Sequence, residues 1–123
     1  MGLKVLIADD ALFMRNLLKD ILTKVGFSVV AEATNGEEAV ALYRKHKPDL
    51  VTMDIVMPLK SGIEALEEIV KEDPYAKIVM CSALGQESLV LEAVQAGAKY
   101  FIVKQFKEER VVEVVKRICG QQG

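Results

Sequence analysis

The sequence predicts an α/β protein with one doubly wound parallel sheet, built from five strands and five helices that alternate along the chain. Three observations support this fold class. Five short apolar runs recur at similar intervals, helical patterns lie between them, and no low-complexity tract or charged block interrupts the alternation. Nearly continuous apolar runs are typical of parallel strands that helices cover on both faces, and the connections between such strands are right-handed.

The predicted strands are the apolar runs themselves, which are rich in leucine and β-branched residues. In chain order they cover residues 4–8, 28–33, 50–53, 77–81 and 100–103. Runs of this length suit strands better than helices, which need ten or more residues to pack stably against a sheet.

The helical patterns repeat apolar residues three and four positions apart, which places them on one face of each helix. These residues are Phe13, Leu17, Ile21 and Val25; Ala39, Val40 and Tyr43; Ile63, Leu66, Ile69 and Val70; Leu89, Val90, Ala93 and Val94; and Val111, Val112, Val114, Val115 and Ile118. The patterns end, in chain order, at Gly26, Pro48, the Asp73-Pro74 pair, Gly97 and Gly120, which are residues that stop helices. Asn35 and Glu38 have the spacing of an N-terminal capping box for the second helix.

Length and charge restrict the classes of function. A chain of 123 residues suits one domain, which we predict over residues 1–123 with a frayed tail at residues 120–123. The net charge is −2 with the two signs interleaved, so no nucleic-acid partner is expected. The longest apolar stretches fall far short of the roughly 20 residues that span a bilayer, and the N-terminus lacks a signal-peptide pattern. We therefore expect a cytoplasmic monomer without membrane insertion.

Five chemically active side chains stand directly after four of the predicted strands. Asp9 and Asp10 follow the first strand, Asp54 the third, Ser82 the fourth and Lys104 the fifth. Each has an ordinary structural explanation when taken alone, such as a helix cap for Asp10 or a turn for Ser82. Ligands of doubly wound sheets bind beyond the carboxyl ends of the strands, so the coincidence of all five at that edge indicates a functional site.

These residues fit magnesium-dependent phosphate chemistry. Three carboxylates packed together repel one another unless a cation joins them, and Mg²⁺ takes one or two carboxylates while it keeps positions open for phosphate oxygens. Lys104 adds a positive charge of the kind that engages phosphoryl groups. No glycine-rich loop follows the first strand and His46 is the one histidine, so nucleotide binding and serine-type catalysis are disfavoured. A carboxylate nucleophile that forms an aspartyl phosphate fits the set.

Four segments in this order resemble the response-regulator receiver domain, and the resemblance extends from end to end of the chain. They are the acidic pair in "LIADD", the central "MDIVMPLKSG", the hydroxyl in "CSALG" and the lysine in "FIVKQF". The resemblance implies a flavodoxin-like sheet with strand order 2-1-3-4-5. Within the family, "CSALGQ" and "EAVQAGAKYFIVK" are most similar to the stand-alone chemotaxis receivers.

The resemblance also implies a role for each residue at the strand ends. Asp54 would accept a phosphoryl group from a histidine kinase. Asp10 would bind Mg²⁺ directly and Asp9 through water, with the backbone carbonyl of Val56 as a further ligand. Ser82 would form a hydrogen bond with the phosphoryl group once it arrives. The protein would then be a signalling switch, whose catalysis is limited to its own phosphorylation and the hydrolysis of its aspartyl phosphate.

The same resemblance implies how phosphorylation would be read. Lys104 would pair with the phosphoryl group, and Phe101 would be an aromatic switch that turns inward as Ser82 moves. The face formed by the fourth helix, the fifth strand and the fifth helix would then favour a different partner. For a chemotaxis receiver that partner is a flagellar motor switch protein, and a phosphatase is a further implied partner. The phosphoryl group would act by stabilising one of two existing packings.

One departure from the family pattern bears on the alternatives. The family has Lys-Pro with a cis peptide bond where this chain has Lys104-Gln105, and a non-proline cis bond costs about 3 kcal/mol. We therefore predict a trans bond, or a cis bond at the expense of stability. A phosphorelay intermediate or the receiver of a larger regulator would carry the same residues, and the change at Gln105 leaves a phosphorylation-independent pseudo-receiver open. A magnesium-dependent phosphatase of the dehalogenase type fits less well, because its two key aspartates lie two positions apart.

Overall fold

Five parallel strands form one sheet in the order β2-β1-β3-β4-β5 in a computed structural model, which describes residues 2–104 and 106–119. The elements are β1 (Lys4–Ala8), α1 (Leu12–Lys24), β2 (Ser28–Ala33), α2 (Gly36–His46), β3 (Leu50–Asp54), α3 (Gly62–Glu72), β4 (Ile78–Ser82), α4 (Glu87–Gln95), β5 (Tyr100–Val103) and α5 (Glu108–Cys119). The predicted fold class and strand order are confirmed. The predictions for Gln105, Gly120 and the tail lie outside the described residues. None of the helices in the described ranges has the length and apolarity to span a bilayer.

The predicted strands agree with the structure to within one residue at either end. The first, second and fifth match, whereas β3 extends through Asp54 and β4 runs from Ile78 through Ser82. The added end residues are polar, yet their backbones continue the ladder, with Asp54 opposite Cys81 and Ser82 opposite Val103. Two predicted site residues are therefore the last residues of strands, where pairing with neighbouring strands fixes their backbones.

Two apolar cores cover the two faces of the sheet. Residues of α2, α3 and α4 pack on one face, and residues of α1 and α5 pack on the other. Successive strand residues point to opposite faces, so Leu6 of β1 lies in the first core while Val5 and Ile7 lie in the second. Burial on both faces explains why the strands read as continuous apolar runs, and it fixes the edge at which their carboxyl ends meet.

Two helix starts differ in detail from what the sequence pattern suggests. Phe13 is 74% exposed, and full burial on α1 begins at Leu18, because α1 starts beyond the end of β1 and its first turn extends past the sheet. The capping box of α2 is also displaced. The Asn35 side chain accepts a hydrogen bond from the Glu38 N–H, as predicted, but the Glu38 carboxylate accepts from the N–H and hydroxyl of Thr34, one residue before the cap.

Candidate functional site

Asp9 directly follows β1 and is the most enclosed of the predicted site residues, with 1% of its surface exposed. Its N–H donates to the carbonyl of Ala33 at the end of β2 (2.9 Å), and its Oδ1 accepts from the N–H of Ala11 (2.9 Å). Its carbonyl oxygen accepts from a terminal guanidinium nitrogen of Arg15 at 2.8 Å. The backbone and one carboxylate oxygen of Asp9 are thus held by hydrogen bonds from three directions.

Three aspartates form one carboxylate cluster at this edge of the sheet. One oxygen from each of Asp9, Asp10 and Asp54 lies within 4.8 Å of the other two. Asp10 is exposed, whereas Asp54 at the end of β3 is 5% exposed. Lys104 Nζ lies 3.1 Å from Asp54 Oδ1 and 3.5 Å from Asp9 Oδ2. The structure therefore brings together four of the five side chains that the strand ends predicted.

The electrostatics of the cluster leave negative charge uncompensated. Burial raises the pKa of Asp54 to about 6, and the charge of Asp9 adds to the rise, while the hydrogen bond from Lys104 opposes it. Burial disfavours the Lys104 ammonium, but its hydrogen bond and charge attraction to Asp54, together with Asp9, outweigh burial and raise its pKa. One ammonium faces three carboxylates, so the fully ionised cluster holds excess negative charge.

The donor set fits a hard divalent cation. Carboxylate oxygens are the ligands that Mg²⁺ prefers in proteins. Asp9 Oδ2 is buried and, within the described chain, has no hydrogen-bond partner. Its ion-pair partner, Lys104 Nζ, lies 3.5 Å away, and a cation between the carboxylates would offer this buried oxygen a closer charge. The cluster of Asp9, Asp10 and Asp54 can therefore hold a metal ion.

The loop between β3 and α3 returns closely to the end of β3. The N–H of Gly62, the first residue of α3, donates to the carbonyl of Ile55 at 2.9 Å. A Cβ at Gly62 would lie 1.9 Å from the carbonyl oxygen of Asp54, so a residue without a side chain is required here. Leu59 in the loop has a φ of +67°, a left-handed conformation that L residues rarely adopt. Val56, whose carbonyl is the further ligand implied by the resemblance, lies in this loop with its side chain 53% exposed.

The fourth and fifth strands contribute the remaining predicted residues. Ser82 is buried at the end of β4, and its carbonyl accepts a hydrogen bond from the N–H of Lys104 at 2.6 Å. The sheet therefore places Lys104 beside Ser82 at the site. Phe101 lies opposite Met80, two positions before Ser82, and is half-buried against the first core. Phe101 therefore lies within the sheet, whereas the carboxylate cluster lies at the carboxyl ends of the strands.

Sequence reasoning missed the residues that anchor Asp9. Arg15 Nε donates to Glu32 Oε1 at 3.0 Å, and Lys19 Nζ lies 3.3 Å from Glu32 Oε2. Two signals for this network exist in the sequence. Glu32 is a charged residue inside an otherwise apolar strand, and Arg15 and Lys19 form a basic pair one helical turn apart. The bond to the Asp9 carbonyl has no such signal, because every residue type offers the same carbonyl oxygen.

Comparisons with known proteins identify the family of this chain. Residues 5–116 match the family model described as the response regulator receiver domain. The chain is 59% identical to the chemotaxis protein CheY of Thermotoga maritima over 118 residues (96% of this chain and 98% of that protein) and 58% identical to CheY of Bacillus subtilis over 117 residues (95% and 98%). It superimposes on a chain of the CheX–CheY–BeF3–Mg complex from Borrelia burgdorferi with a TM-score of 0.89 at 40% identity, over 97% of this chain and 90% of that one. The chain therefore belongs to the response regulator receiver domain family.

Proposed function

We propose that this chain is a CheY-like, phosphorylation-activated switch of a two-component system that acts in chemotaxis. One observation carries the proposal: the enclosed carboxylate of Asp54 shares one cluster with Asp9, Asp10 and Lys104. The similarity to CheY proteins over nearly their whole length supports the chemotaxis role. Receiver domains are signalling proteins and not classical enzymes, so the chemistry that we propose is limited to the protein's own phosphorylation state.

The metal in this proposal is Mg²⁺, held by Asp9, Asp10, Asp54 and the backbone carbonyl of Val56. Support comes from the oxygen-only donor set, from Asp9 Oδ2, which is buried and accepts no hydrogen bond from the described residues, and from the relative that was solved with BeF3 and Mg²⁺. When bound, the ion supplies positive charge that stabilises the oxygens of a transferring phosphoryl group. The ionised carboxylates can then lie close together, because their attraction to the cation offsets the repulsion between them.

Asp54 is the proposed phospho-acceptor. A carboxylate oxygen of Asp54 forms a bond to phosphorus while the bond from phosphorus to the imidazole nitrogen of the donor breaks, and the electron pair of that bond stays on the imidazole. Asp54 is mostly ionised above pH 7, because its pKa is about 6. Lys104, already 3.1 Å from Asp54 Oδ1, pairs with an oxygen of the incoming phosphoryl group, and Ser82 donates a hydrogen bond to another.

The proposed response follows from the two strands next to Asp54. Ser82 and Lys104 are joined through their backbones, so movement toward the phosphoryl group is transmitted to β4 and β5. Phe101 on β5 is the proposed aromatic switch, and the face of α4, β5 and α5 is the proposed partner surface. We propose a CheA-like histidine kinase as donor, a flagellar motor switch protein as target and a phosphatase as a further partner. The protein acts as a cytoplasmic monomer with one domain over residues 1–123.

The test is phosphorylation by a small donor. The protein is incubated with acetyl phosphate and Mg²⁺, and its intact mass is recorded beside that of Asp54→Asn and a sample with chelator. We expect a single phosphoryl adduct on the wild type that requires both Asp54 and Mg²⁺. Asp49→Asn is the matched control, because Asp49 is an exposed aspartate that binds the Lys4 N–H at the opposite edge of the sheet.

Three outcomes would contradict the proposal. A folded wild type without an adduct would make the pseudo-receiver interpretation the leading one and would direct attention to Gln105. Steady turnover of phosphate esters, with more than one phosphate released per protein molecule, would instead support a magnesium-dependent phosphatase. An adduct that survives Asp54→Asn would place the acceptor on another residue.

A further inference from the structure

We propose that Arg15 is a positioning residue for the carboxylate cluster: its guanidinium, anchored on Glu32, holds the turn that carries Asp9 and Asp10. The inference rests on the proposed function, because the ligand concerned is the Mg²⁺ of that site. It adds to that function Arg15, a residue on α1 and not at a strand end. Arg15 determines how well the carboxylates are presented to the ion.

The guanidinium of Arg15 connects two other elements to α1. One terminal nitrogen donates to the Asp9 carbonyl oxygen at 2.8 Å, and Nε donates to Glu32 Oε1 at 3.0 Å. The side chain is 13% exposed, against 28% for Glu32. Because the guanidinium is planar with fixed donor directions, arginine makes both bonds at once with little further loss of side-chain freedom. A single-nitrogen ammonium would have to share one donor group between the two acceptors.

The bond acts at the point where the chain leaves β1. The carbonyl of Asp9 belongs to the peptide group that joins Asp9 to Asp10, so its orientation affects how the backbone presents both carboxylates. The N–H of Ala11 holds Oδ1 of Asp9, which leaves Oδ2 for the cluster. Hydrogen bonds behind metal ligands commonly fix ligand orientation in this way. Loss of the Arg15 bond frees this peptide group while the strand beneath it stays paired.

Glu32 neutralises the charge of Arg15. Burial disfavours the ionised carboxylate, but the hydrogen bonds from Arg15 and Lys19 outweigh burial and hold the pKa of Glu32 below its ordinary value. Glu32 is therefore ionised at neutral pH, and Arg15 donates to Asp9 without placing an uncompensated positive charge beside a cation site. An effect of charge and an effect of positioning then predict opposite changes in Mg²⁺ affinity when Arg15 is replaced. By Coulomb repulsion alone, removing a nearby cation strengthens Mg²⁺ binding, whereas removing a positioning residue weakens it.

The test compares Arg15→Met with Lys19→Met. Both variants remove a cation that pairs with Glu32, but only Arg15 contacts the Asp9 carbonyl. The dissociation constant for MgCl2 is measured by isothermal titration calorimetry on the unphosphorylated protein. We expect Arg15→Met to weaken Mg²⁺ binding about tenfold and Lys19→Met to leave it unchanged or slightly stronger. Amide resonances of residues 9–11, recorded without metal, should move in Arg15→Met and stay in place in Lys19→Met.

Arg15→Lys is a second test variant in case Arg15→Met fails to fold. It keeps the charge and the aliphatic stem but loses the planar fork, and we expect an affinity between those of the wild type and Arg15→Met. Mg²⁺ affinity within twofold of the wild type in both Arg15 variants, or an equal loss in Lys19→Met, would overturn the positioning role and leave the proposed function intact. A wild type that binds no Mg²⁺ would overturn the proposed metal site, and this inference with it.

Discussion

The helices α3 and α4 pack on the same face of the sheet, yet they are attached to it very differently. α3 begins with a complete capping box, in which the Ser61 hydroxyl accepts from the Glu64 N–H and the Glu64 carboxylate accepts from the Ser61 N–H. It buries Gly62, Ile63, Ala65, Leu66 and Ile69. Every residue of α4 is described, and among them only Ala93 is buried. The side chain of its N-cap residue, Gln86, makes no capping hydrogen bond to the described residues of the helix.

The strands next to these helices show the same contrast. All residues of β3 are buried, while in β5, which is also described throughout, Ile102 is buried and Val103 is 48% exposed. Leu91 on α4 is 60% exposed. Segments with few buried apolar contacts open locally at lower free energy than the rest of a fold. The carboxylate cluster therefore lies at the ends of the well-buried strands β1 and β3, whereas α4 and β5 of the proposed partner face should open at a lower free energy. The third element of that face, α5, buries four residues.

The largest expected difference is between a buried leucine of α3 and an exposed leucine of α4. Leu66→Ala in α3 should lower the free energy of unfolding by about 4 kcal/mol, because it removes a fully buried side chain and leaves a cavity. Leu91→Ala in α4 should change it by less than about 0.5 kcal/mol, because that side chain is mostly in solvent. Urea denaturation followed by circular dichroism in chelator measures both. Equal losses at the two positions would show that α4 is packed as firmly as α3.

A smaller difference is expected between two glycines. Gly62→Ala should destabilise the protein by about 3 kcal/mol, because the new Cβ would overlap the Asp54 carbonyl and force α3 away from β3. Gly85→Ala, just before α4, should cost only about 1 kcal/mol: its φ of +86° strains an L residue, but no atom lies within 4 Å of the added carbon. The same denaturation experiment applies. A Gly62→Ala variant as stable as Gly85→Ala would mean that the loop after β3 yields more readily than its contacts suggest.

Most of the fold could be predicted because burial on both faces leaves a direct trace in the sequence. Strands of a covered parallel sheet are uninterrupted apolar runs, so seven of the ten strand ends could be predicted to the residue and the other three to within one residue. Asp54 and Ser82 were placed just outside their strands because side-chain polarity says nothing about whether a backbone continues to pair. Phe13 lies in the predicted helix but is exposed, because helical periodicity does not report where the sheet beneath a helix ends.

The site could be predicted as far as its side chains carry chemistry. Carboxylates, a hydroxyl and a lysine at strand ends are readable, since parallel topology brings those ends to one edge. The bond from Arg15 to Asp9 could not be read, because its acceptor is a backbone carbonyl and its geometry depends on how α1 lies against β2. The close approach of Gly62 to Asp54 could be suspected from the glycine alone, but its target depends on the path of the whole loop.

Asp54, at the end of the well-buried strand β3, destabilises the metal-free protein when it is ionised. Asp54→Asn should raise the free energy of unfolding of the metal-free protein by about 1–2 kcal/mol at pH 8. Folding raises the pKa of Asp54 from 3.8 to about 6, so the folded state binds its proton more tightly and stability is lost as pH rises from about 4 to 6. Asparagine removes that loss, and the gain should vanish near pH 4. Denaturation at the two pH values measures it, with Asp49→Asn as a control; a gain independent of pH would contradict the charge explanation.

The smallest expected difference concerns the helix caps. Ser61→Ala should cost about 1 kcal/mol, because it removes the acceptor for the Glu64 N–H at the start of α3. Gln86→Ala removes a bond from the exposed Ala83 N–H, which water can replace, and should cost less than half as much. Amide hydrogen exchange adds the decisive measurement, because it reports each helix separately. We expect slow exchange in the first turn of α3 in the wild type and faster exchange there in Ser61→Ala. In α4 we expect fast exchange already in the wild type and little change with Gln86→Ala. Slow exchange throughout α4 in the wild type would contradict the view that α4 is held less firmly than α3. The proposed partner face would then have to move as a rigid unit.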